Sequence, residues 1–187
     1  MTRYFLGLMI LLSLAATPVA AAGKSEEKRE KILDMREDVL EELYGERPQT
    51  LSEIGESEGY AVFSNVGVQV LLLGGGGGRG VVHDNRTGED TFMKMATASV
   101  GLGLGIKDFR AVFVFHDRDA MTSFVEKGWD FAGEADAAAR SSDKGGEISE
   151  AGTFSKRVSV YQFTKNGLAL QASLHGTKYW KDKKLNR

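Results

Sequence analysis

The chain contains no cysteine and only two prolines among its 187 residues. Without cysteine there is no disulfide framework, thiolate nucleophile, thiolate metal site or lipid-bearing cysteine near the N-terminus. Histidine is scarce too, with three residues, and none stands in the His-Glu-x-x-His spacing of a zinc helix. No serine occupies a Gly-x-Ser-x-Gly elbow, so the usual hydrolase signature is missing. No apolar run approaches the roughly 20 residues that a membrane-spanning helix needs. The formal net charge of −2 lacks the basic excess of a nucleic-acid binder. These absences point away from an enzyme, a resident cofactor and a nucleic-acid partner.

The first 22 residues read as a secretory signal peptide. Arg3 precedes an apolar stretch over 5–16, and Ala20 and Ala22 place small residues before a cleavage point at Gly23. Removing them takes away only one charged side chain, so the balance moves to 23 − 26 = −3. An exported, soluble chain of the bacterial periplasm or cell envelope is expected, long enough to bury one domain core.

Glycine is what the chain has in excess. Of 23 glycines, twelve fall within 59–105, so the excess has a local cause. Before it, residues 25–44 put Ile32, Met35, Val39 and Leu43 at spacings of three and four, with Leu40 and Tyr44 beside them, which predicts an amphipathic helix. Gly45 and Pro48 end it. Thr50 and Glu53 suggest a capping box opening a second, short helix. From 60 onward the pattern turns to β, with short runs at 60–66, 68–73, 80–83, 91–96, 99–106 and 110–116, and "DNRTGED" as the clearest turn. "DRDAMTSFVEKG" predicts one more helix, capped by Asp117 or Asp119 and closed by Gly128. The segment 132–152 is small and polar. A hairpin through Lys165, Asn166 and Gly167 follows. The expected class is α+β and β-rich: an antiparallel sandwich or barrel-like sheet, an N-terminal amphipathic helix and one or two short helices. The organisation reads as a signal peptide (1–22), an amphipathic helix (23–48), a β-rich domain (49–181) and a basic tail (182–187).

"VLLLGGGGGRGVV" raises the question of a phosphate loop. Gly75, Gly77 and Gly80 match Gly-x-Gly-x-x-Gly by letters, but six glycines in seven positions make the match nearly automatic. The dinucleotide fingerprint needs a helix directly after the loop, whereas Val81, Val82 and His83 continue as strand. No Lys-Ser or Lys-Thr follows, which removes the phosphate-loop reading. In "SVGLGLGI", Gly101, Gly103 and Gly105 leave one strand face without side chains. Such a face admits another backbone, a ring or an apolar ligand at close range. The five-glycine run serves the same purpose in a neighbouring strand or at a tight corner.

His83-Asp84 and His116-Asp117 both end predicted strands, where neighbouring side chains point to opposite faces, so neither pair is a ready acid/base dyad. At the C-terminus, Tyr179 and Trp180 stand among lysines, a mixture suited to a membrane interface, the alternative being a last strand followed by a solvated basic tail. Headgroup contacts are placed on Arg79, beside the glycine run, and on Lys107, after the second glycine strand.

"GYAVFSNVG", "GGGGGRGVV", "ASVGLGLGI", "AVFVF", "KGWDFAGEADAAA" and "FTKNGLALQASLHG", in that order, resemble the SYLF domain family from Leu51 to about Trp180. The resemblance implies a β-rich lipid-binding domain; eukaryotic members recognise phosphoinositides through a basic amphipathic helix, and some bind actin filaments. Here residues 24–47 carry nine acidic and six basic side chains, a balance that an anionic surface repels, and an exported protein meets no actin. The expected function is non-enzymatic binding of lipid or phospholipid at a glycine-faced apolar β surface, through Arg79, Gly101, Gly103, Gly105, Lys107, Tyr179 and Trp180. The rival is a structural or protein-interaction module whose glycine faces pack internally.

Overall fold

Alternation along the β segments is apolar on both faces, so the sheet they build must be covered twice. The computed structural model describes residues 19–70, 73–100, 108–130, 153–155, 157–164, 167–169 and 177–187. The elements run α1 (Val19–Glu46), α2 (Thr50–Glu56), β1 (Gly59–Val70), β2 (Leu73–Asp84), β3 (Asp90–Val100), β4 (Asp108–Phe115), α3 (Arg118–Lys127), β5 (Trp129–Asp130), β6 (Thr153–Ser155), β7 (Val158–Thr164), β8 (Gly167–Ala169) and β9 (Thr177–Lys181). The strands pair antiparallel in one sheet of order β5-β9-β3-β2-β1-β4-β7-β6, with β8 beside β7. The sheet curls into a half-barrel. Of the two forms expected, the barrel-like one is adopted, and all described strands belong to a single sheet.

Its inner face carries Ala61, Phe63, Met93, Met95, Phe113 and Phe115, closed by Ala120, Met121 and Phe124 of α3. Aromatic rings dominate here: Phe63 meets Tyr179 and Phe124 meets Trp129, each with centroids 4.7 Å apart and tilted edge to face, the arrangement ring quadrupoles favour. The outer face carries Val62, Val112 and Val114 under Val39, Leu40 and Leu43 of α1 and Ile54 of α2. The helical stripe expected over 25–44 is therefore the buried one, within a helix that is longer than expected.

Several local expectations change. The runs at 60–66 and 68–73 join into one strand, β1, to Val70, and the glycines lie inside β2, with Gly67 opposite Gly76. They form ladder rather than a corner. Thr50 forms no capping box: it is the first residue inside α2, with Gln49 at the cap position, and it is buried and donates to the Arg47 carbonyl at 2.7 Å while Glu53 accepts from the Tyr161 hydroxyl. Asp117 does cap α3, accepting from the Ala120 amide at 2.8 Å, and Gly128 closes it at φ 72°. A Cβ at Gly128 would lie 2.1 Å from the Tyr179 carbonyl oxygen. The hairpin expected near 167 exists as β7 paired with β8, its Lys165 and Asn166 outside the described residues, as is the polar segment 132–152.

The turn after β2 is held by Asp84, which accepts from the Arg86 and Thr87 amides and from both Nη atoms of Arg118. Arg118's hydrogen bonds, with those two amides, hold the Asp84 carboxyl well below the usual carboxylate range. The native state thus binds fewer protons than the unfolded chain. Its stabilisation is complete above the unfolded value of about 3.9 and is lost as pH falls toward the folded value. Asp84→Asn should lower stability at neutral pH and flatten its decline below about pH 4; urea melts across that range check this, and an unchanged acid slope would disprove it.

Glycine in β2 has two distinct surroundings. A Cβ at Gly80 would lie 2.2 Å from the Val62 carbonyl oxygen and 2.4 Å from Phe63 Cδ1, whereas one at Gly77 would meet nothing within 4 Å. Gly80→Ala should therefore destabilise by about 1–3 kcal/mol through overpacking, while Gly77→Ala should melt close to the parent. Equal denaturation midpoints for the two variants would contradict this.

Candidate functional site: a cation-rimmed groove

The open side of the glycine run leads to a groove of about 650 Å³ between α1 and the outer face of β2, β3 and β9. Register builds its floor. Ser64 pairs with Arg79, Arg79 with Lys94, and Lys94 with Trp180, which makes one row across four strands. Side chains of such a row share a face. The adjacent row pairs Gly77 with Ala96, leaving a shallow strip almost without side chains. Ile32 and Met35 of α1 form an apolar wall, and Lys28 and Lys31 stand on the same wall.

The electrostatics of the groove have one sign. Lys28, Lys31, Arg79 and Lys94 line it, and no carboxylate does so among the described residues. Arg79 and Lys94 are direct cross-strand neighbours, a like-charge placement that costs stability. Partial compensation comes from outside: Asp182 lies 3.4 Å from Lys94 Nζ, and Glu27 lies 2.6 Å from Lys31 Nζ. The Lys31 hydrogen bond lowers the proton affinity of Glu27. Glu27 sits on exposed helix surface, where such a pair is weak.

The wall is held by residues distant in sequence. Arg36 donates to Asp90 at 3.1 Å, and Asp90 also meets His83 Nδ1 at 2.7 Å. Arg29 Nε donates to the Leu185 carbonyl at 3.0 Å and its guanidinium lies 6.0 Å from the Phe92 ring. Residues 182–187, expected as a basic tail, are thus part of the fold. β9 stops pairing with β3 at Met93, and Asn186 takes over the next position: Oδ1 accepts from the Phe92 amide at 2.9 Å and Nδ2 donates to its carbonyl at 2.7 Å. Leu185 is buried against Ile32, Val81 and Phe92.

Of the residues singled out in the sequence, Arg79 and Trp180 meet at this groove. Tyr179 does not. It is 1% exposed on the inner face, among Phe63, Phe113 and Phe124, and burial pushes its hydroxyl above the usual tyrosine range. Alternation along β9 sends it inward and Trp180 outward, so an interfacial role for Tyr179 is corrected to a core one. Gly101, Gly103, Gly105 and Lys107 lie outside the described residues. Lys28, Lys31, Lys94 and Ser64 escaped the sequence reading. Lys94 carried a signal, a lone cation inside the apolar strand "TFMKMA". Lys28 and Lys31 were hidden by the helix's overall acidity, although a spacing of three places them on one side.

His83 and His116 stand in separate clusters. His116 Nε2 lies 2.9 Å from Ser159 Oγ and 3.2 Å from Glu53 Oε1. Both partners crowd the same nitrogen, whereas a nucleophilic relay needs the acid on Nδ1. Glu53 also accepts from Tyr161, whose hydroxyl is pushed well above its usual range, by burial first and by this bond second. The cluster ties α2 to the sheet. Among the described residues no group of three or more His, Asp or Glu side chains is placed to hold a metal, and no helix is long and apolar enough to cross a membrane.

A curled antiparallel sheet, covered by helices on both faces and opening a cation-rimmed apolar groove at its glycine strand, is an α+β, β-rich module. Residues 96–187 match the Ysc84 family, described as "Las17-binding protein actin regulator". Beta cell expansion factor A of Aeromonas veronii is 33% identical over 162 residues, covering 86% of this chain and 60% of that protein. Residues 96–187 thus carry the SYLF (Ysc84) domain match. It spans about 60% of the length of this relative.

The Arg29 anchor has a measurable effect. Arg29→Ala should speed amide exchange over residues 24–36 by roughly tenfold or more, the loss of a charge-assisted hydrogen bond of about 1.5 kcal/mol, and leave β1 and β4 protected. Unchanged exchange in α1 would show that the C-terminal turn does not hold the wall.

Proposed function

We propose that this protein is a non-enzymatic lipid-binding protein of the cell envelope, exported by its N-terminal segment, and that it holds lipid in the groove beneath α1. The carrying observation is the juxtaposition of a cationic row with a side-chain-free strip: Arg79 and Lys94 lie two residues along their strands from Gly77 and Ala96, in the next row of the same face. The SYLF (Ysc84) domain match supports a lipid-binding or actin-regulator-like module in general terms. Concave, mostly apolar sites with a few convergent polar groups are the usual form of ligand pockets. Trp180, 37% exposed at the rim, suits the boundary between headgroup and chain.

The rival reading, an interaction module with internally packed glycines, draws support from Gly78 and Gly80, where a Cβ would strike the neighbouring strand. Gly77, open to the groove, favours the lipid reading. Native mass spectrometry of protein purified without detergent should show copurified lipid, and the protein should float with anionic liposomes. Arg79→Glu combined with Lys28→Glu should reduce both by at least about tenfold, about 1.4 kcal/mol. A clean apo mass with no flotation would overturn the proposal in favour of the interaction module.

A further inference from the structure

We infer that the groove is built for an anionic amphiphile with a single chain, not for a two-chain bilayer lipid. This rests on the groove being a lipid site, and it specifies the lipid's class from two observations, the charge pattern and the size.

The charge pattern asks for an anion. Arg79 and Lys94 face each other across β2 and β3, and α1 brings Lys28 and Lys31 to the opposite wall. Lys94 and Lys31 have carboxylate partners, Asp182 and Glu27, both outside the lining. A headgroup carboxylate or phosphate seated on the row would relieve the cross-strand repulsion and accept charge-assisted hydrogen bonds. Ser64, in register with Arg79, offers a hydroxyl donor on the same row.

The size sets the number of chains. A groove of about 650 Å³ lies within the roughly 300–1,000 Å³ of sites that enclose one drug-sized molecule. One acyl chain with its headgroup is of that size. Beyond the cationic row the floor is a strip bare of large side chains, Gly77 beside Ala96. On the far side of the cationic row, Ile32 packs on Val81 and Phe92 and closes that end. A second chain has no room in that volume.

The experiment titrates the protein with dodecanoate, lysophosphatidylglycerol, dodecanol and vesicles of dioleoylphosphatidylglycerol, read by native mass spectrometry and by fluorescence, with Trp180→Phe to identify the responding ring. The expected result is a one-to-one complex with both charged single-chain ligands, at least tenfold weaker binding of dodecanol, and at least tenfold weaker binding of the charged ligands to Arg79→Gln or Lys28→Gln. Two variants on different elements guard against a folding defect in one. Binding to vesicles but not to the single-chain ligands would overturn the inference and leave the lipid reading standing. Equal affinity for dodecanol would overturn the anionic part, and binding of nothing would overturn both readings together.

Discussion

The two-sided burial of the central strands is the constraint on which the rest depends. In β1, Ala61, Val62 and Phe63 are all fully buried, and so are Val112, Phe113 and Val114 of β4. Neighbouring residues on a strand point to opposite faces, so neither face can be left to water. At about 25 cal/mol per Å² of apolar surface, exposing either would forfeit more than a domain's usual margin of stability. α3 and the aromatic cluster meet this demand inside, and α1 with α2 meets it outside.

The groove is a consequence of how that outer cover is arranged. α1 presses on the sheet through Val39, Leu40 and Leu43 toward its C-terminal end, and through Ile32 toward its middle. Beside Ile32 the sheet offers Gly77 and Ala96 instead of large side chains, so the helix and strand surfaces do not fill the space between them. On the opposite face of the same strand, Gly78 and Gly80 serve the reverse purpose and admit Met95 and Phe63 at close range. Alternation thus gives one glycine run two functions, packing inward and vacancy outward.

Much of this was legible in the sequence, for reasons that can be named. The stripe Ile32, Met35, Val39 and Leu43, the Asp117 cap and the Gly128 stop are local signals, and they describe α1 and α3 well. Val81 and Val82 excluded a phosphate loop after the five glycines, but the choice between strand and tight corner was settled only by their pairing with β1 and β3. What local patterns lacked was partner identity. Thr50 and Glu53 have the letters of a capping box, yet Tyr161, 108 residues away from Glu53, takes the carboxylate. Tyr179 and Trp180 look alike as interfacial aromatics, and only the register of β9 against β3 sends one to the core and one to the rim. Asn186 reads as a polar tail residue until the Phe92 backbone, beyond the end of the β9 ladder, appears beside it.

The Arg29 to Leu185 contact spans 156 residues, and this has a temporal meaning. Contacts of long sequence separation close late, because loop entropy must be met before they contribute. The C-terminal half of α1 finds Val62 and Val112 well before the last strand exists. Its N-terminal half is completed only by Leu185, so the groove wall depends on the two ends of the chain meeting, and without that meeting the Ile32 side of the helix is bare apolar surface.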